Sequence, residues 1–251
     1  MIIKTKALVI KEYIVGESDK YVTLFTMDLG KIQAIAPKAK KYDNSLASGT
    51  QLFVYGEFML VAYKDTYRLM NIEIISTFHE LRNDLSILSY ASYILEFVAE
   101  VAQEGPDNEN LLGLTLMTLR TLVVNKLSIQ LIRRIFELRA LCILGFMPEL
   151  DQCVECAGDL GNDQRSVYTF VCEAGGLMCE QCRASYPERL DLSFSTLYTM
   201  KYIMHTPIKQ LFSFQVHSSI LHDLETVCDL YIPFYIEKSF KTADFIKHIE
   251  A

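Results

Sequence analysis

The sequence predicts an α+β protein, in which a five-stranded β-barrel is followed by an α-helical domain that carries an inserted four-cysteine module. Three observations predict this class. The first part of the chain has runs rich in β-branched and aromatic residues, the later part has helical periodicity, and two Cys-x-x-Cys pairs interrupt the helical part. The expected boundaries are 1–80 for the barrel, 81–148 and 191–251 for the two parts of the helical domain, and 149–190 for the insertion.

Five strands are predicted in the barrel, because runs rich in β-branched and aromatic residues alternate with turn-like segments. They span 3–15, 21–27, 31–36, 50–62 and 66–75. The segment 37–49 is long enough to hold a short helix, and Gly56 inside the fourth strand indicates a bulge or bend, which a small barrel needs at its corners. Three strands, a longer connection and a final hairpin is the order of an OB-fold. That barrel binds oligonucleotides on its strand 2–3 face, beside loops 1–2 and 4–5.

The charge of the chain is unevenly distributed. The net charge is −7, but residues 1–80 carry ten Lys and Arg against nine Asp and Glu, whereas residues 81–251 carry fourteen against twenty-two. Residues 31–41 hold four lysines and no acid. A solvated loop is the ordinary interpretation of such a run, but its place at the exit of strand 3 favours contact with nucleic acid.

Lysines near the predicted face attract phosphates, and tyrosines offer surfaces on which bases stack. The alternative for the tyrosines is burial in the barrel core. The candidate DNA-binding residues are Lys20, Tyr21, Lys31, Lys38, Lys40, Lys41, Tyr42, Lys64 and Arg68.

Helices are predicted after residue 80, at 85–102, 108–124, 128–145, 195–204 and about 215–238. Ser128 is the expected N-cap of the third helix, and Pro233 is expected to kink or shorten the last. Hydrophobic residues make up 51% of the chain, which is typical of a folded protein. No membrane-spanning helix is expected, because serines and glutamates interrupt the most apolar stretch.

The cysteines form two knuckles, Cys153-Val-Glu-Cys156 and Cys179-Glu-Gln-Cys182. Four thiolates can surround one Zn²⁺ tetrahedrally, and such a closed shell is structural because it leaves no open position for water or substrate. The alternatives are disulfides or unrelated buried thiols. The odd number of cysteines and an N-terminus without a signal-peptide core favour a cytoplasmic protein with reduced thiols. Cys172 is a possible substitute ligand, but a place in the core of the strand 167–172 is favoured.

Catalytic motifs are missing from the sequence. It contains no phosphate-cradling G-x-x-x-x-G-K-[ST], no G-x-S-x-G and no H-E-x-x-H, and the five histidines are scattered. A metal-dependent hydrolase would need an open coordination site that four cysteines do not leave. The absence of these motifs agrees with a protein that is not an enzyme.

Several segments, taken together, resemble the RecO family of recombination mediators. In chain order they are Gly16-Glu-Ser-Asp19 followed by Val22-Thr-Leu-Phe-Thr26, Gly30-Lys31 leading to Pro37-Lys-Ala-Lys40, Leu81-Arg-Asn-Asp84, Phe136-Glu-Leu-Arg139 running to Gly145-Phe-Met-Pro148, and Gly175-Gly176 before the second knuckle. They span almost the whole chain. The chain departs from the family at residues 36–40, where members commonly carry a Lys-Gly-containing turn, and at Pro233.

The resemblance implies a mediator of DNA repair that binds single- and double-stranded DNA and anneals complementary strands. It implies as partners RecR, the acidic tail of single-stranded-DNA-binding protein, and RecA, whose loading the protein would help. Arg133 and Arg134, which apolar residues flank on the third helix, are candidates for holding that tail; the alternative is a buried ion pair. A zinc-ribbon and OB-fold adaptor for RNA or a transcription complex is the alternative function.

Overall fold

The computed structural model describes residues 2–41, 45–64, 66–106, 108–124, 126–160 and 167–250. The chain forms two compact units, Met1–Val124 with Phe240–Ala251, and Asn125–Ser239. The α+β class is confirmed, with a closed barrel, helices and a small second sheet. The division into four segments stays a prediction. Within the described ranges, no helix is both long and apolar enough to cross a membrane.

The barrel strands are β1 Ile2–Val15, β2 Asp19–Thr26, β3 Gly30–Ala36, β4 Tyr55–Tyr63 and β5 Thr66–Ser76. They close in the order β1-β2-β3-β5-β4, and β4 returns to β1. β3 pairs with β5 in parallel and every other pairing is antiparallel. The short helix α1, Leu46–Gly49, lies in the connection between β3 and β4. This order confirms the OB-fold.

Strand β4 begins five residues later than the sequence predicts. Thr50 ends α1 and its hydroxyl donates to the Leu46 carbonyl at 2.8 Å. Phe53 is buried with φ 70°, a left-handed conformation that interrupts an extended chain. The predicted strand start at Thr50 is therefore wrong. The expected bulge at Gly56 is confirmed, because the β4–β5 register shifts between Tyr55 and Gly56.

Three helices complete the first unit: α2 Leu85–Val101, α3 Glu109–Val124 and α7 Lys241–Glu250. The sequence did not predict α7. Phe240, just before it, stacks on Phe97 of α2 with ring centroids 5.3 Å apart. The Glu96 carboxylate accepts the backbone N–H groups of Lys241 and Thr242 at the first turn of α7. This helix therefore depends on α2 for both its apolar anchor and its cap.

The second unit contains helices α4 Ile129–Ile143, α5 Phe194–His205 and α6 Ser218–Ile236. Its sheet has the order β7-β6-β8, formed by Val167–Val171 (β6), Gly176–Met178 (β7) and Leu190–Ser193 (β8). Ser128 is the N-cap of α4 as predicted, because its hydroxyl accepts the Leu131 N–H at 3.3 Å. Helix α6 continues past Pro233 and ends at Ile236, where the next residue is left-handed.

Candidate metal centre and nucleic-acid interface

The four knuckle cysteines converge on one point. The Sγ atoms of Cys153, Cys156, Cys179 and Cys182 all lie within 4.8 Å of one another, and the Cys156 and Cys179 sulfurs are 3.8 Å apart. Four Zn–S bonds of about 2.3 Å in a tetrahedron separate the sulfurs by about 3.8 Å. The cluster therefore has the dimensions of a tetrahedral metal–thiolate site and can hold a metal ion.

Backbone hydrogen bonds shape the two knuckles. The Cys153 N–H donates to the Gly158 carbonyl at 3.0 Å, and the Ala157 N–H donates to the Cys153 carbonyl at 2.9 Å. Ala157 is left-handed, with φ 53°, which turns the chain back at the end of the first knuckle. The Cys179 N–H donates to the Cys153 sulfur at 3.4 Å and so joins the second knuckle to the first.

The electrostatics of the cluster favour a bound cation. Burial opposes ionisation of Cys153, but the N–H groups of Cys156, Cys179 and Glu155 lower the pKa of the Cys153 thiol to about 6. Hydrogen bonds to Cys179 and Cys156 raise the pKa of the Cys182 thiol to about 12. The four thiols therefore do not all ionise without a compensating positive charge, which a divalent metal ion provides.

Cys172 lies outside the cluster. It is buried directly after β6, and its carbonyl accepts the Tyr235 hydroxyl at 3.2 Å. Burial raises the pKa of its thiol to about 11. The expectation that Cys172 packs in the core, rather than replacing a ligand, is consistent with this position.

The basic loop, residues 37–41, follows β3 and is tied to the loop between β1 and β2. The Lys38 N–H donates to the Asp19 carboxylate at 2.8 Å, and the Lys40 N–H donates to the Ser18 carbonyl at 2.9 Å. Ala39 packs into the barrel core. The side chains of Lys38, Lys40 and Lys41 are exposed, and no described residue forms an ion pair with them. Tyr42 lies outside the described residues.

A row of outward-facing side chains that includes Tyr13 and Tyr21, here called the tyrosine row, crosses the barrel next to this loop. The strand registers pair Tyr13 with Tyr21, Tyr21 with Ile35, and Ile35 with Arg68. The Tyr13 and Tyr21 rings stack in parallel, with centroids 5.4 Å apart and an angle of 3°. Tyr13, which is 49% exposed, is not among the DNA-binding residues that the sequence predicts. Its position, as far before the Gly16 turn as Tyr21 is after it, was the available signal.

Two of the predicted DNA-binding lysines have intramolecular partners. The Lys20 ammonium forms an ion pair with the Glu12 carboxylate at 2.5 Å. The Lys31 ammonium donates to the Ala99 carbonyl at 2.8 Å, in the last turn of α2, where the helix dipole favours a cation. These contacts give both lysines a structural part in the barrel unit.

Lys64 lies near the start of β3, away from the basic loop that follows the end of that strand. It is exposed at the turn between β4 and β5, and its ammonium lies 5.8 Å from the centroid of the Tyr63 ring. Lys31 and Lys64 line a cleft of about 750 Å³, and Asp28 and Glu104 line it as well. The predicted residues therefore fall into two places, the basic loop with the tyrosine row and a cleft of mixed charge.

Arg133 and Arg134 are buried in an ion-pair cluster on α4. The Arg133 Nε donates to Glu137 at 2.8 Å, and one Arg134 Nη donates to Glu137 at 2.8 Å and to Asp229 at 2.7 Å. Burial alone would lower the pKa of Arg134, but the Glu137 carboxylate, followed by further negative groups, raises it above its usual value. The geometry matches the alternative interpretation. Partner binding by these arginines stays a prediction, and their contacts do not favour it.

Comparison with known proteins covers both halves of the chain. A family model described as Recombination protein O N terminal matches residues 1–78, and one described as Recombination protein O C terminal matches residues 82–244. The DNA repair protein RecO of Acetivibrio thermocellus is 34% identical over 248 residues, which cover 99% of this chain and 97% of that protein. The RecO protein of Alkaliphilus metalliredigens is 30% identical over 250 residues, which cover 99% of this chain and all of that protein.

Proposed function

Because this chain belongs to the Recombination protein O family of DNA repair proteins, we propose that it is a non-catalytic recombination mediator that binds DNA through its barrel. The single observation that carries the proposal is the basic loop. Three exposed lysines stand on a loop that Ala39 and two hydrogen bonds from its backbone N–H groups, to the Asp19 carboxylate and the Ser18 carbonyl, hold against the strand 2–3 end of the barrel. Preorganised lysines of this kind attract phosphates without ordering a flexible segment first.

The tyrosine row supports contact with unpaired bases. Tyr13 and Tyr21 form an aromatic surface beside the basic loop, and a base stacked on such a surface contributes about 1–3 kcal/mol. Phosphate contacts and stacking leave the Watson–Crick edges of the bases unread. A strand held in this way stays free to pair, which is what annealing of complementary strands requires. Phosphate contacts alone suffice for double-stranded DNA.

The rest of the proposal concerns cofactor, partners and location. We propose Zn²⁺ as the metal, because a shell of four cysteine thiolates suits zinc and the site is structural when all four coordinate. Residues 81–251, with fourteen basic against twenty-two acidic residues, are a poorer surface for DNA than for proteins. We propose RecR and the acidic tail of single-stranded-DNA-binding protein as cytoplasmic partners, and help in loading RecA as the outcome.

Replacing Lys38, Lys40 and Lys41 with glutamate should weaken binding to DNA of any sequence. Each single-strand phosphate contact contributes about 0.7 to the slope of log affinity against log salt, so three lost contacts should flatten that slope by about 2. Fluorescence anisotropy with a labelled oligonucleotide over a series of salt concentrations measures both quantities.

The matched control changes Lys126, Lys209 and Lys241 to glutamate, since these exposed lysines lie outside the barrel strands and loops. It alters the net charge equally and should leave most of the slope intact. An unaltered slope in the basic-loop variant, or the same loss in the control, would place the DNA contacts elsewhere.

The protein should accelerate annealing of complementary oligonucleotides coated with single-stranded-DNA-binding protein. Quenching of a fluorophore on one strand by its partner strand follows the reaction. Competition between single-stranded DNA and RNA of the same sequence separates the mediator from an RNA-binding adaptor. Preference for RNA, together with an absence of annealing, would favour the adaptor.

A further inference from the structure

An apolar groove lies in the second unit, between the β7-β6-β8 sheet and helix α6. It has a volume of about 390 Å³, and its apolar lining includes Phe170, Pro187, Leu190, Leu230 and Phe234. Phe170 forms a fully buried floor. We call this the acidic groove, because Glu173 and Glu188 also line it.

Two large side chains stand exposed at this groove. Leu230 and Phe234 are 45% and 49% exposed, and they are four residues apart on α6, so that they share one face of the helix. A soluble domain rarely leaves neighbouring large apolar residues beside a concave surface, and such a patch marks an interaction site. The spacing provides a place for one apolar anchor between the two side chains.

The charge around the groove determines which sign of charge its partner carries. Glu173 and Glu188 are exposed and form no ion pair with a described residue, while Arg189 is the one basic residue of the described lining. Residues 149–190 carry eight acidic residues against three basic ones. This field repels DNA and acidic peptides and attracts lysine and arginine side chains.

We propose that the acidic groove binds a basic segment of a protein partner, in which a leucine or phenylalanine is flanked by lysines or arginines. The apolar residue fills the space between Leu230 and Phe234. The flanking cations face Glu173 and Glu188. The site is separate from the DNA face proposed above, and its partner has the opposite charge to the acidic tail.

Two synthetic peptides test the charge selection. Each contains a Leu-Phe pair, flanked on both sides by two lysines in one peptide and by two glutamates in the other. Anisotropy of the fluorescently labelled peptides with the full-length, zinc-loaded protein should show binding of the lysine peptide, and binding of the glutamate peptide at least about tenfold weaker. Salt should weaken the binding of the lysine peptide because its contacts are partly ionic.

Variants of the groove test its location. The Leu230→Ser/Phe234→Ser variant should lower the affinity for the lysine peptide by about tenfold or more. The Glu173→Gln/Glu188→Gln variant, which preserves side-chain size, should lower it severalfold. Tyr198→Ser is the control, since Tyr198 is 63% exposed and lines a different groove. All variants should retain zinc and the wild-type affinity for DNA, so that failure here is distinct from failure of the DNA proposal.

Several outcomes would overturn the inference. These are an absence of peptide binding, equal binding of the two peptides, and binding that survives loss of both apolar side chains. Light scattering measures the oligomeric state and so tests whether a second copy of the chain occupies the groove. A dimer that the Leu230→Ser/Phe234→Ser variant converts to a monomer would mean that a second copy of the chain fills the groove.

Discussion

Replacing Cys153 and Cys179 with serine should remove the metal ion and unfold the zinc module while the barrel stays folded. Among the described residues, the apolar cluster at the knuckles has Cys153, Val171 and Met178 as its buried members. So small a core does not hold the knuckles together. Binding of structural zinc contributes roughly 10–16 kcal/mol in zinc-finger peptides, and this energy is coupled to local folding.

Elemental analysis and hydrogen exchange measure the two parts of this result. Wild-type protein purified without chelators should contain one zinc ion per chain, and the double variant close to none. Amide protection should fall in residues 149–190 and persist in the barrel strands. Cys172→Ser is the matched control, because this buried cysteine lies on the same module but outside the cluster. Absence of zinc from the wild type, or retention in the double variant, would refute the site.

The Glu137→Gln variant should have a free energy of unfolding lower by about 3–5 kcal/mol. Glu137 is 0% exposed and accepts hydrogen bonds from both Arg133 and Arg134. Its neutralisation removes the buried carboxylate that both guanidinium groups contact, while the Asp229 carboxylate stays beside them. Chemical denaturation monitored by circular dichroism measures the change. Glu80→Gln, at an exposed glutamate, should change it by less than about 0.5 kcal/mol.

A second variant separates the burial cost of the charges from simple loss of packing. Arg133→Met, Arg134→Leu and Glu137→Leu together replace the ion-pair cluster by apolar side chains of similar size. The Nε of Arg134 is buried without a hydrogen-bond partner in the described structure, which adds to the cost of the native arrangement. The triple variant should therefore recover most of the stability that Glu137→Gln loses. Equal destabilisation of both variants would show that the loss of stability comes from packing and not from the buried charges.

This cluster also affects how the two arginines can be tested. Charge reversal of Arg133 and Arg134 would place two further carboxylates beside the buried Glu137. Unfolding of the second unit is the expected result. Loss of partner binding in such a variant is informative only when its stability is measured in the same preparation.

The sequence by itself determined the features that depend on local periodicity and spacing. Runs of β-branched and aromatic residues between turn-like segments predicted the barrel strands within a few residues at most ends, and the N-cap at Ser128 was recognised from its hydroxyl and the apolar repeat that follows. The convergence of Cys153, Cys156, Cys179 and Cys182 followed from two knuckles whose internal spacing presents paired sulfurs. Such signals lie within a few residues of one another, so that the chain carries them before it folds.

Only the tertiary structure decided which charges are free and where two elements begin. Lys31 is bound by the Ala99 carbonyl, 68 residues away, and Arg134 by the Asp229 carboxylate, 95 residues away. Helix α7 depends on the Glu96 carboxylate, and the start of β4 on the left-handed Phe53. Propensity along the chain does not encode these contacts. They arise when the barrel and the helices pack, because a buried charge or an unpaired N–H must then find a partner in space.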